Sequence, residues 1–194
     1  MHKGKVASFG RVLSFLWVAV FSLEIHAQTY CAATYSSGCG SWGPRNIQFG
    51  TFTATVPNVC YTDNSNIIIG SYMPTSPISV SINSRGWCGV GVAADFNKDG
   101  DFADPGEMMA NPPYSAAAGT VTYTFNISIP FNVKGGDYRM RIWARGGNAG
   151  GSALPACGAF SYGRSIDYTL QVISPLIITG GGNYCSGDDI TIKV

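Results

Sequence analysis

Beyond residue 45 the chain alternates apolar and polar positions with a period of two. In Thr120 to Ile129, Val121, Tyr123, Phe125, Ile127 and Ile129 share one face, with threonine, asparagine and serine opposite. Asp137 to Arg145 places Tyr138, Met140, Ile142 and Ala144 on one face and Arg139, Arg141, Trp143 and Arg145 on the other. Ser165 to Val172 repeats the pattern through Ile166, Tyr168, Leu170 and Val172. Shorter runs of the same kind occupy 47–55, 66–72, 78–83 and 88–94. Strict alternation bounded by Gly and Pro clusters marks strands with one buried face. No convincing helical period follows the first 27 residues. The expected fold is all-β, an antiparallel β-sandwich, jelly-roll-like, of roughly seven short strands.

The two ends read differently. Lys3, Lys5 and Arg11 precede an apolar run from Val12 to Leu23, and Ala27 supplies a small residue at the end. That order is expected of a secretory signal peptide over 1–27. Its apolar run falls short of the ~20 residues a membrane-spanning helix needs. Residues 28–174 are then one domain, whose Gly-, Ser- and Cys-rich start (28–45) reads as an ordered loop pinned by Cys31 and Cys39. Ser174-Pro175 breaks the last strand, and Gly180 to Gly182 leads to a turn and a strand, Ile190 to Val194. A lone edge strand does not fold independently. Residues 175–194 are therefore read as the truncated start of a second β domain, the alternative being a tail strand of the first.

Charge and cysteine content narrow the partners. The formal net charge is +1, and without Lys3, Lys5, Arg11 and Glu24 it becomes −1. A near-neutral chain with no basic run has no electrostatic footprint for nucleic acid. No later segment is long and apolar enough to span a bilayer as a helix. Cys31, Cys39, Cys60, Cys88, Cys157 and Cys185 all lie beyond residue 27, with no C-x-x-C pair. In a secreted or outer-surface protein such a scattered, even set reads as disulfides. The spacing alone does not choose their connectivity.

The densest chemistry lies between Asp95 and Glu107. Oxygen-bearing side chains stand at Asp95, Asn97, Asp99 and Asp101, the first, third, fifth and seventh positions, with Gly100 between the last two for a sharp turn. That spacing wraps a hard cation such as Ca2+. An EF-hand closes with glutamate at the twelfth position, whereas here Gly106 is twelfth and Glu107 follows it. The flanks also read as strand. A calcium-type loop grafted into a β-hairpin fits better, with Asp95, Asn97, Asp99, Asp101, Asp104 and Glu107 as ligands and the ion in a structural role. The alternative is a polar turn whose acids bond their own backbone. Against it, the five carboxylates face only Lys98 and repel one another without a cation.

His2 and His26 are the only histidines, and both precede Gln28. Serine and cysteine triads and imidazole-bound zinc are thereby excluded from the mature domain. Asp63, Asp137 and Asp167 remain, but no motif gathers them into a glycosidase pair. No enzyme is expected. Two features are candidates for ligand contact. Arg139, Arg141, Trp143 and Arg145 line a strand face able to hold an anionic or sugar partner, or else form a solvated face beside acidic neighbours. Trp42 and Trp87 lie in Gly-rich loops, as glycan contacts or as plugs for the sandwich ends.

Four segments carry a family resemblance: Tyr30-Cys31; Val92 to Phe102 with Pro105-Gly106-Glu107; Tyr138 to Arg141; and Cys157 to Gly163. Together they resemble the GEVED domain of secreted, multidomain bacterial surface proteins. Of the naming motif, Gly163, Asp167 and Tyr168 are kept, while Arg164, Ser165 and Ile166 replace Glu, Val and Glu. The resemblance implies an accessory β-sandwich module of adhesins or secreted hydrolases. Residues 175–194 resemble the opening of an immunoglobulin-like repeat. Cys185 would then pair outside this chain and leave one of the other five cysteines odd. The expected function is that of a non-catalytic, calcium-stabilised accessory or adhesion module, with an extracellular glycan or protein as partner. The alternative is an accessory domain of a secreted protease or glycosidase whose catalytic domain lies outside this chain.

Overall fold

The computed structural model describes residues 28–146 and 155–174. The signal-peptide stretch 1–27 and the immunoglobulin-like stretch 175–194, with Cys185, lie outside the described residues. The strands are β1 (Ala33–Tyr35), β2 (Pro44–Phe49), β3 (Phe52–Thr55), β4 (Tyr61–Tyr72), β5 (Ile78–Arg85), β6 (Cys88–Ala94), β7 (Met108–Ala110), β8 (Thr120–Ile127), β9 (Gly136–Gly146), β10 (Gly158–Phe160) and β11 (Gly163–Val172). One sheet has the order β4-β11-β9-β6-β7, a second β3-β2-β5-β8, and β1 pairs with β10 alone. Among the described residues no helix is long and apolar enough to cross a membrane.

The all-β sandwich agrees with the alternation, with two differences of detail. β4 pairs with β11, and β1 with β10, in parallel; parallel neighbours need a long crossover, here nearly the whole domain. The 47–55 run splits at Gly50, whose φ of 57° turns it into the β2–β3 hairpin. Beyond these, β4 starts earlier than the 66–72 run because its polar first half (Thr62, Asp63, Asn64, Ser65) hides that start from a period-two reading, and its pairing with β11 shifts register opposite Tyr168 to Leu170.

Ile47, Phe49, Val80 and Ile82 from one sheet meet Val92, Met140, Ile142, Ile166 and Leu170 from the other in a closed core. Each such side chain contributes ~1.5–3 kcal/mol on burial. The opposite face of the five-stranded sheet is covered as well. Arg141, Trp143 and Arg145 are 1%, 0% and 2% exposed, beneath a layer that includes Tyr30, Cys31, Phe102, Ala156 and Phe160. This corrects the expectation of an open strand face at Arg141, Trp143 and Arg145, while Arg139 stays partly exposed at its end. β6 supplies Gly89, Gly91 and Ala93 opposite Arg145, Trp143 and Arg141. A Cβ on Gly91 would lie 2.2 Å from Trp143 Cζ2, so the glycine makes room for the indole.

Disulfides join Cys31 to Cys157 and Cys39 to Cys60, leaving Cys88 buried and without a disulfide partner among the described residues. Cys88 is thus the odd member of the five.

Candidate functional site

β6 and β7 pair antiparallel through Val92–Ala110 and Ala93–Met108, so residues 95–107 are a hairpin connection. Left-handed backbone at Lys98 (φ 63°), Gly100 (99°) and Gly106 (95°) coils it. The coil is organised from inside by two buried carboxylates. Asp95 Oδ1 accepts the amides of Lys98 (2.6 Å) and Asp99 (3.2 Å), and Oδ2 accepts that of Gly100 (3.1 Å). Glu107 Oε1 accepts the amides of Phe96 (2.9 Å) and Asn97 (3.4 Å), and Oε2 that of Asp104 (3.3 Å). Burial pushes the Glu107 carboxyl up despite those amides.

Six ligands were expected here, and the structure gathers three. Asp99, Asp101 and Asp104 place carboxylate oxygens within 4.8 Å of one another. Asp95 and Glu107 point inward, saturated by backbone. Asn97 sits between the groups: its Nδ2 donates to Asp99 Oδ2 (2.9 Å) and Asp104 Oδ2 (2.7 Å). That amide does weakly what a cation does strongly, drawing two like charges together. The Asp101 amide holds the Asp99 carboxyl below its usual range. Its hydrogen bond with Asp99 raises the Asp104 carboxyl, as for two acids sharing one proton. Hard oxygens of this density suit a divalent cation with oxygen ligands, although Asn97 turns its amino group toward them while its oxygen accepts the Asp99 amide.

The segment before β1 ties this loop to the covered arginine face. The Cys31 amide donates to Gly100 C=O (2.9 Å), and the Tyr30 ring lies 5.9 Å from that of Phe102. Arg141 binds Asp167 through Nε (2.7 Å) and Nη2 (2.8 Å), and its Nη1 donates to Cys31 C=O (2.7 Å) and Ala156 C=O (3.3 Å). Tyr61 O–H donates to Asp167 Oδ2 (2.9 Å), and Arg139 Nη1 binds Asp63 Oδ1 (2.6 Å). Arg145 differs: its Nη2 donates to Pro155 C=O and its guanidinium rests 3.2 Å from the Phe160 ring centre. Among the described residues no carboxylate pairs with it, and burial pushes its guanidinium down to about 10.

Asp167 is the residue the sequence undervalued, kept from the naming motif but assigned no role. The signal was present in register, because β9 and β11 set Arg141 directly opposite Asp167. Arg164, which departs from that motif, donates to Pro44 C=O (3.0 Å) and to Gly40 C=O and Asn58 Oδ1, fastening the loop before β2. Trp42 stacks on Tyr162 at 5.2 Å and under Arg85 at 4.5 Å, whereas Trp87 stays 49% exposed beside Tyr114.

With this geometry in hand, comparison with known proteins is informative on the family. The model of the GEVED domain matches residues 89–171, from β6 through β11. No curated protein sequence matches the chain. Among solved structures it is similar to a lytic polysaccharide monooxygenase AA15 from Thermobia domestica in the Cu(I) state, at 18% identity and TM-score 0.36, covering 56% of this chain and 64% of that one. It is also similar to a family 123 glycoside hydrolase from Clostridium perfringens, at 13% identity and TM-score 0.29, covering 62% of this chain and 24% of that one. The chain thus spans under two thirds of either protein.

Proposed function

This chain carries a GEVED domain over residues 89–171, and from that premise we propose that it is a non-catalytic, calcium-stabilised accessory module of a secreted or cell-surface protein, acting in adhesion or substrate attachment. One observation carries the calcium half. Asp99, Asp101 and Asp104 converge at the tip of a hairpin whose coil is already held by Asp95 and Glu107. A cation there removes carboxylate repulsion and closes the β6–β7 hairpin, which is a structural task. The non-catalytic half is supported by side-chain supply: no histidine lies beyond His26, and Glu107 is held by backbone amides. The signal-peptide pattern of residues 1–27 and the two disulfides support the secreted setting.

Thermal unfolding with chelator and then with added Ca2+ tests the reading. At about a hundredfold excess over Kd, binding to the folded state alone adds ~2.7 kcal/mol. For a domain of this size that raises Tm by about 5–10 °C. Asp99→Asn and Asp101→Asn should each shrink the shift. Equal Tm values in chelator and calcium would end the calcium assignment.

A further inference from the structure

Beside the buried Arg141–Asp167 pair the outer layer leaves a pocket of about 270 Å3, lined by Gln28, Tyr30, Tyr61, Asp63, Arg139 and Arg141. None of the three converging loop carboxylates lines it. Its charges cancel. Arg141 is bidentate to Asp167, and Arg139 binds Asp63 while lying 3.6 Å from Asp167. At the wall itself an anionic ligand would meet the Asp63 carboxylate and guanidinium groups already neutralised by Asp63 and the buried Asp167, and an amine would meet two guanidinium groups.

What the pocket keeps available is hydrogen-bonding capacity of both kinds next to an aromatic plane. Asp63 has a second carboxylate oxygen on a side chain 48% exposed. The guanidinium of Arg139 has more N–H donors than Asp63 can accept, and its stacking on the Tyr30 ring at 4.5 Å fixes their plane. Tyr61 is 40% exposed and is pinned by its O–H on Asp167. Hydroxyl groups both donate and accept, and the electron-rich face of a phenol ring attracts the C–H face of a sugar. We propose that this pocket binds one ring of a neutral saccharide. Adjacent hydroxyls would bridge Asp63 and Arg139, and the ring would lie against Tyr61. At ~270 Å3 the pocket falls just under the ~300–1,000 Å3 of drug-sized sites, which matches a single sugar ring at the end or side of a longer glycan. The proposal rests on the attachment role above and is independent of the cation loop.

Isothermal titration of the whole chain against cellohexaose, mannohexaose and chitotetraose, with a heparin fragment as the anionic control, tests it. One of the neutral sugars should bind, and Asp63→Asn and Tyr61→Ala should each weaken it about tenfold or more while the Ca2+-induced shift in Tm stays the same. Tyr61→Phe, which keeps the ring, should retain most of the affinity. Neutral-sugar binding that survives Asp63→Asn and Tyr61→Ala but falls in Trp87→Ala would overturn the pocket and leave the attachment role standing. Binding of heparin alone would overturn the neutral class. No binding by any probe would overturn both the pocket and glycan attachment.

Discussion

Arg141 and Arg145 stand on the same face of β9, four residues apart and equally hidden from water. One is held by Asp167, two backbone carbonyls and the nearby Tyr61 ring; the other has Pro155 C=O and a phenyl face. Burial alone lowers a guanidinium's affinity for its proton. At Arg141 the Asp167 carboxylate reverses that pull and raises it, while at Arg145 nothing of equal strength among the described residues does. Burial is thus common to both, and the partner decides whether the charge holds the layer together or is merely tolerated by it.

Asp167→Asn strikes the contrast hardest. It leaves Arg141 buried without its acid, an expected loss of about 3–5 kcal/mol, seen as a lower urea midpoint at unchanged slope. A loss under ~1 kcal/mol would make the two arginines alike. Gly91→Ala comes next, because the added carbon meets Trp143 between the two arginines. It should cost ~1–3 kcal/mol by overpacking, and an unaltered midpoint would show that the indole is not wedged there. Arg145→Met keeps the stem and removes a charge that no acid among the described residues answers, so stability should stay within ~1 kcal/mol of wild type or rise. A fall matching that of Asp167→Asn would reveal an anion at Arg145 after all.

The smallest effect is in alkali. Burial, reinforced by the Asp167 charge, pushes the Tyr61 phenol up to about 12 from an ordinary 10.0. The folded value is the higher one, so this contribution is complete below pH 10 and is lost as pH rises from 10 towards about 12. Tyr61→Phe should therefore show a shallower fall in unfolding free energy across that window. The ring is well exposed, so solvent screening keeps the difference modest.

Much of the architecture was legible because inward-facing apolar residues have a period. β6 runs from Cys88 to Ala94 as the alternation implied; β5 and β11 extend the expected runs by two residues at one end, and β9 by one residue at each. The hairpin setting of the acidic loop followed from its strand-like flanks. Periodicity, however, states which residues share a face and not what lies over that face. Arg139 to Arg145 alternates as a solvated strand would, and only small residues at Gly89, Gly91 and Ala93 hinted at a covering layer. Spacing likewise marked six oxygen donors in the loop. It could not tell that Asp95 and Glu107 would be taken by backbone amides while Asp99, Asp101 and Asp104 turned outward together.

The position of β11 has a consequence for how the domain comes to be built. It is the last strand described, yet it lies between β4 and β9 in the five-stranded sheet. Until it arrives, β4 has no neighbour among the described strands of that sheet, and Arg141 has no Asp167. The Cys31–Cys157 bridge, spanning 126 positions, likewise waits for the second half of the chain. Pairings this distant in sequence make for slow folding, and a nascent domain cut short of Asp167 would hold Arg141 without its counterion. An interior place in the five-stranded sheet is thus filled by the ten residues of β11, which the chain supplies after every other described strand of that sheet.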